Sequence, residues 1–257
     1  MISNDSRSWV PDGLHVDAFG NGPRLLLMHG SHWQHPSKNF IFQRDLGNAF
    51  EVVIPHRRGY GESAPALRTA NFEPDVSDVQ ALLGAHAHLV GDSYAGVVTL
   101  LAAAQAPQRV TSLTLIEPPL FQLASGTPAA AALLSEFQQL YARRAALAPQ
   151  EFAAGFLSAL RGETVGPRRV STESAHSLRA MMTECEPWMA PLDLPAIKHL
   201  PIAKRVVSGG WHPTFETLCD VLAVAINAER IVLPGAGHSP QNAQNGAPFN
   251  QLLSGLG

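Results

Sequence analysis

The feature that most narrows the fold is an alternation. Short runs at residues 24–28, 51–54, 86–90, 112–116, 204–208 and 230–233 are rich in Leu, Val and Ile and are closed by Gly or Pro, the mark of short buried strands. Between them lie segments of helical pattern at 75–83, 94–106 and 214–227. Apolar strands that alternate with helices form a mostly parallel sheet with helices on both faces. The expected class is therefore α/β. Residues 118–197 break the rhythm: they offer no strand, but they carry Ala- and Leu-rich helical stretches at 129–147, 151–161 and 174–183, separated by Gly162, Gly166 and Pro167. Pro187, Pro191 and Pro195 punctuate the return to the next strand. Residues 1–117 and 198–257 are expected to form the core, with 118–197 a helical cap on the sheet.

Charge and composition exclude several classes of partner. Against 18 Lys and Arg stand 21 Asp and Glu in 257 residues, a net charge of −3, which offers nothing to nucleic acid or an anionic membrane surface. Hydrophobic residues make up 46% and charged residues 15%, too apolar a mixture for disorder. No secretory leader is read at the start, and the most apolar stretches, such as 95–106 and 129–134, fall short of the roughly 18 to 20 residues that cross a bilayer. Cys185 and Cys219 have no metal-ligand spacing and read as two reduced thiols of a cytoplasmic protein. The expected partner is a small-molecule substrate, with no nucleic acid and no membrane; a homodimer is left open.

Chemistry concentrates in residues 86–106. A strand runs into Gly91-Asp92-Ser93-Tyr94-Ala95-Gly96 and then directly into a helix. In a nucleophile elbow, small residues around the serine let the chain turn sharply, and its hydroxyl projects at the carboxyl edge of the sheet. The helix behind it supplies N–H groups and partial positive charge to a developing oxyanion. Ala95 stands where G-x-S-x-G has its last Gly, with Gly96 one residue on. An aliphatic hydroxyl needs a base, and neutral imidazole suits the task. Of eleven histidines, His238 follows a late strand in a Gly-rich loop, Leu233-Pro234-Gly235-Ala236-Gly237-His238.

Together with His29-Gly30-Ser31 after an early strand and Arg57-Arg58-Gly59-Tyr60-Gly61-Glu62-Ser63 after the next, these motifs resemble the α/β-hydrolase superfamily in its serine-nucleophile, capped form. The likeness runs over the chain apart from the helical insertion, which corresponds to the variable cap. By that resemblance Ser93 is the nucleophile and His238 its base, and the backbone N–H groups of Ser31 and Tyr94 form the oxyanion hole. His32 and Trp33, beside the oxyanion loop, would line the substrate pocket. His56 takes the place of the acidic residue common at the start of the R-G-x-G-x-S segment.

The acid departs from the family pattern. The family usually places Asp soon after the strand written here Arg205-Val206-Val207-Ser208, but the chain continues Gly209-Gly210-Trp211-His212-Pro213. Glu117, at the end of the strand after the elbow helix and held extended by Pro118, is the expected acid; some α/β-hydrolases, haloalkane dehalogenases among them, are similar in drawing a carboxylate from that strand. Glu216 is the alternative, although it reads more simply as a carboxylate in the first turn of a helix. A third option is no protein carboxylate at all.

No cofactor is expected. His29, His32 and His35 form H-x-x-H-x-x-H, but Gly30 and Pro36 favour a loop there, and His86 and His88 alternate along a strand; neither set reads as a metal site. Gly235-Ala236-Gly237 lacks the third Gly of a dinucleotide loop. The sequence thus points to hydrolysis of an ester-like substrate with a small to medium apolar acyl group. The alternatives are a perhydrolase, lyase or acyltransferase of the same fold, or a relative that only binds a ligand.

Overall fold

The computed structural model describes residues 9–32, 34–65 and 71–256; Trp33 lies outside the described residues. Its strands are β1 (His15–Phe19), β2 (Arg24–Met28), β3 (Glu51–His56), β4 (Ala87–Asp92), β5 (Val110–Ile116), β6 (Ala203–Ser208) and β7 (Glu229–Val232). They form one sheet in the order β1-β3-β2-β4-β5-β6-β7. β1 pairs antiparallel with β3, and every other pair is parallel. The α/β class and the mostly parallel sheet read from the sequence are what the chain adopts.

Side-chain alternation along the strands divides the core in two. Leu26 and Met28 of β2, Val53 of β3, Leu113 and Leu115 of β5 and Val206 of β6 pack on one face. Leu25, Leu27, Val52, Ile54, Ile116 and Val207 pack on the other. This period of two is the geometry of a strand covered on both sides. Helices α1 (Glu73–Leu82), α2 (Tyr94–Gln105) and α7 (Pro213–Ile226) cover the first face through Val79, Val97 and Leu222. The second is covered by α8 (Ala247–Ser254) and a 3-10 segment, Ile41–Asn48, through Phe249, Leu253 and Leu46.

Between β5 and β6 the chain builds α3 (Pro128–Ala142), α4 (Pro149–Arg161), α5 (Thr172–Met182) and α6 (Leu194–Lys198). Pro128 and Pro149 open their helices, where a missing N–H costs nothing. The single stretch expected over 129–147 is divided: α3 stops at Ala142, and a 3-10 turn at Arg144–Ala146 frees the chain to start again at Pro149. An aromatic seam joins this insertion to the core, with Phe121 stacked on Phe137 at 5.4 Å and edge-on to Phe215 of α7 at 5.5 Å. Among the described residues, no helix is long and apolar enough to cross a membrane.

Candidate active site

Ser93 sits between β4 and α2 with φ 51° and ψ −121°, a conformation that an L-residue adopts only when its surroundings impose it. Its N–H donates to Ile116 O at 2.7 Å, and its carbonyl accepts from Gly96 N–H at 2.8 Å. Crowding explains the glycines on either side. A Cβ on Gly91 would lie 2.2 Å from Thr99 Oγ1, and one on Gly96 would lie 3.0 Å from Pro118 Cβ. Ala95 is fully buried, so the close approaches fall at 91 and 96 rather than at the usual last position of the motif.

His238 reaches this serine from the loop after β7. Its Nε2 lies 3.3 Å from Ser93 Oγ, and its Nδ1 lies 2.6 Å from Glu117 Oε2. Glu117 directly follows β5, is fully buried and has φ 41°. Its carboxylate also accepts from Gly209 N–H at 2.8 Å and from Trp211 Nε1–H at 2.8 Å and 3.1 Å. Donors therefore converge on a charge that burial would otherwise make costly. Burial also opposes charging the His238 imidazole, but the hydrogen bond and charge of Glu117, with Asp92 behind, outweigh it and raise its pKa above 6.5.

The segment after β6, where the family usually carries its acid, thus wraps the Glu117 carboxylate. Trp211 was not singled out by the sequence, and no local pattern marks an indole whose partner lies 94 residues away. Glu216 is engaged elsewhere: it accepts from Ser208 Oγ at 2.6 Å, Gly210 N–H at 3.0 Å and Arg230 Nη2 at 2.6 Å. It braces the ends of β6 and β7. His212 caps α7, its Nδ1 accepting from Thr214 N–H at 3.2 Å. Burial lowers its pKa, although the charge of Glu117 pulls the other way.

The two expected oxyanion donors flank Ser93. Tyr94 opens α2, so its N–H belongs to the first turn, which has no intrahelical acceptor. Ser31 follows the His29-Gly30 turn, and its hydroxyl donates to Glu184 Oε2. Glu184, fully buried in the segment after α5, is held by Arg57 Nη2 at 2.6 Å and Tyr60 OH at 2.7 Å. The Arg57 guanidinium lies over the Tyr94 ring, 4.4 Å from its centroid, and 3.7 Å from Asp75. Burial works against its charge, but Glu184 and Asp75 more than offset this and raise its pKa. The motif containing Arg57 was legible; Glu184 was not, because its contacts span 127 and 153 residues.

The three histidines of the early loop part ways. His29 is buried, with Nδ1 on Gly30 O at 2.8 Å and Nε2 accepting from Arg57 N–H at 2.9 Å. Burial, reinforced by Arg57, drives its pKa well below 6.5. His32 Nε2 lies 2.8 Å from Oδ2 of the buried Asp92, which also accepts from Asn39 and Gln241. Burial would raise the Asp92 pKa, but His32 and its other partners bring it below 3.8.

Ser31, Ser93 and His238 stand where two lobes of a cavity meet. One is apolar, walled by Phe121, Phe137, Tyr141, Met181, Trp188 and Phe215. The other is polar, walled by His32, Gln34, His35, Lys38 and Asn242.

Comparison with known proteins agrees with this architecture. The dihydrolipoyllysine-residue acetyltransferase component of the acetoin cleaving system of Pseudomonas putida is 39% identical over 100 residues, 37% of this chain and 26% of that protein. The pimeloyl-[acyl-carrier protein] methyl ester esterase of Methylococcus capsulatus is 35% identical over 105 residues, 40% of each chain. These matches span well under half of either relative. An alpha/beta hydrolase from Sphaerobacter thermophilus superposes with a TM-score of 0.69 at 20% identity, covering 93% of this chain and 96% of that one, a likeness of fold. The family model described as "Alpha/beta hydrolase family" matches residues 25–252, and the chain belongs to that family.

Proposed function

We propose that the protein is a serine hydrolase of ester-like substrates that works through an acyl-enzyme. The observation that carries this reading is the placement of His238 between Ser93 Oγ, at 3.3 Å, and the Glu117 carboxylate, at 2.6 Å. His238 takes the Ser93 proton as the hydroxyl attacks the carbonyl, and Glu117 orients and stabilises the resulting imidazolium. The oxyanion is received by the N–H groups of Ser31 and Tyr94. His238 then protonates the leaving group and activates water, which releases the acid. No cofactor enters this scheme.

The aromatic lobe suits an apolar acyl group and the polar lobe a leaving group, since pockets use apolar walls for affinity and a few polar groups for orientation. The helical insertion acts as the cap in this reading, because it contributes most of the aromatic walls. A methyl ester esterase among the relatives supports ester chemistry, and an acetyltransferase component supports acyl chemistry more broadly. The reading as a mere binding protein rests on the missing acid after β6, and Glu117 fills that role here.

Fluorophosphonate labelling with peptide mass spectrometry tests the proposal. Modification confined to Ser93, and lost in S93A, is the expected result. Well-folded protein that takes up no label would overturn it.

A further inference from the structure

Next to the candidate active site, which it touches through His35, a cluster of three imidazoles and two carboxylates gathers where β1 meets the end of β3. His56 closes β3, is 1% exposed and stands opposite His15 of β1 in the strand register. The His15 and His56 rings are 4.6 Å apart, and the His35 ring stands perpendicular to His56 at 5.0 Å. Glu62 reaches in from the following turn, with Oε2 2.6 Å from His56 Nδ1. His15, His56 and Glu62 each present one ligand atom, and these atoms lie within 4.8 Å of one another.

Two details set this cluster apart from a surface ion-pair network. First, His56 Nε2 is buried with no hydrogen-bond partner, and its nearest carboxylate oxygen, Asp17 Oδ2, is 3.6 Å away. A buried polar atom left in this way calls for a specific explanation. Second, the backbone orients the His35 ring. Its Nδ1 accepts from Ser37 N–H at 3.3 Å, and its Nε2 lies in hydrogen-bond contact with Glu62 Oε1 at 3.1 Å. That hydrogen bond aims the other oxygen of Glu62 at His56, as outer partners aim carboxylates that bind metals.

We infer that His15, His56 and Glu62 form a zinc site, with His35 orienting the Glu62 carboxylate. Two imidazole nitrogens and a carboxylate oxygen are a donor set suited to Zn2+, with a fourth position left to water. Donors on one tetrahedral Zn2+ lie about 3.3 Å apart, given bonds near 2 Å. The three ligand atoms lie within 4.8 Å of one another, and the exposed Glu62 side chain supplies the adjustment. The sequence concealed the site because His15 and His56 are brought together only by strand pairing.

Protein stripped with a chelator and dialysed against Zn2+ tests the assignment. Wild type should retain one equivalent, and Co2+ in its place should give the visible absorption of a low-coordinate N/O site. H15Q and E62Q, both at partly exposed positions, should each weaken binding at least about tenfold, while H176Q on an exposed helix position should not. Where a variant folds poorly by circular dichroism, zinc protection of the partly exposed His15 from diethyl pyrocarbonate in the wild type gives the same test. Absence of retained zinc in the wild type, or equal retention in H15Q and E62Q, overturns the site.

Discussion

Glu117 and Ser93 occupy matching places on neighbouring strands: Asp92 pairs with Ile116, and each of the two residues lies one step past that pair. Both also have positive φ, 41° and 51°. Such conformations cost on the order of 1–3 kcal/mol each, and the sheet imposes them side by side. The consequence is that a carboxylate from β5 can serve a histidine that the family more often pairs with an acid after the next strand.

If Glu117 holds His238 in this way, Glu117→Gln removes the charge while keeping the size. kcat should fall by roughly 10³- to 10⁴-fold, the scale seen when a triad acid becomes an amide. Ester hydrolysis kinetics on folded variant protein check this, and a loss of less than tenfold would reassign the acid.

Acidity should follow the same pair. The His238 pKa is raised because the Glu117 bond and charge outweigh burial, and the histidine must be neutral to accept the Ser93 proton. Activity should therefore be lost as pH falls through a value above 6.5. The residual activity of Glu117→Gln should lose its acid limb at lower pH, because the charge of Glu117 is gone and Asp92 alone remains to favour the imidazolium. Stability has the opposite dependence: the favourable imidazolium–Glu117 interaction is present at low pH and is lost as pH rises through the raised His238 pKa. A kcat/KM profile and urea melts across pH 5 to 9, roughly the range in which histidine titrates, measure both.

Glu216 makes the contrasting prediction. It ties Ser208, Gly210 and Arg230 together without touching His238. Glu216→Gln should leave kcat within a few-fold and lower stability by about 1–2 kcal/mol, the value of a partly buried charged hydrogen bond. Urea titration alongside ester kinetics separates the two effects.

Glu184 should matter to folding and turnover together. Glu184→Ala leaves the Arg57 guanidinium buried without its nearest carboxylate, a loss of about 3–5 kcal/mol. Glu184→Gln keeps the packing and should retain more stability, yet it should lower kcat more than it raises KM, because Ser31 loses the anion that fixes its hydroxyl. Chemical denaturation and steady-state kinetics on the pair of variants distinguish these effects.

The sequence disclosed what short-range chemistry can carry. Small residues around Ser93 signal a turn within a few residues, whereas the extended conformation that Pro118 favours for Glu117 is not adopted, its φ being 41°. The unbroken apolar run from Leu25 to Met28 likewise exposes a strand covered on both faces. β1 was not read because His15–Phe19 is an edge strand with mostly half-buried side chains, so no continuous apolar run marks it. β4 was read as ending at Val90, but pairing with β5 carries it through Gly91 to Asp92. The supports of the site were illegible for another reason. Trp211 and Glu184 gain their roles only from partners on distant segments, and nothing in their immediate neighbours differs from an ordinary loop.

The carboxylate that holds Ser31 comes from the helical insertion, whereas Ser31 itself follows a strand of the sheet. Lifting the insertion off the sheet would therefore withdraw Glu184 from Ser31, Arg57 and Tyr60 at once. On the proposed function, the segment that walls the acyl pocket therefore also anchors the loop that would receive the oxyanion.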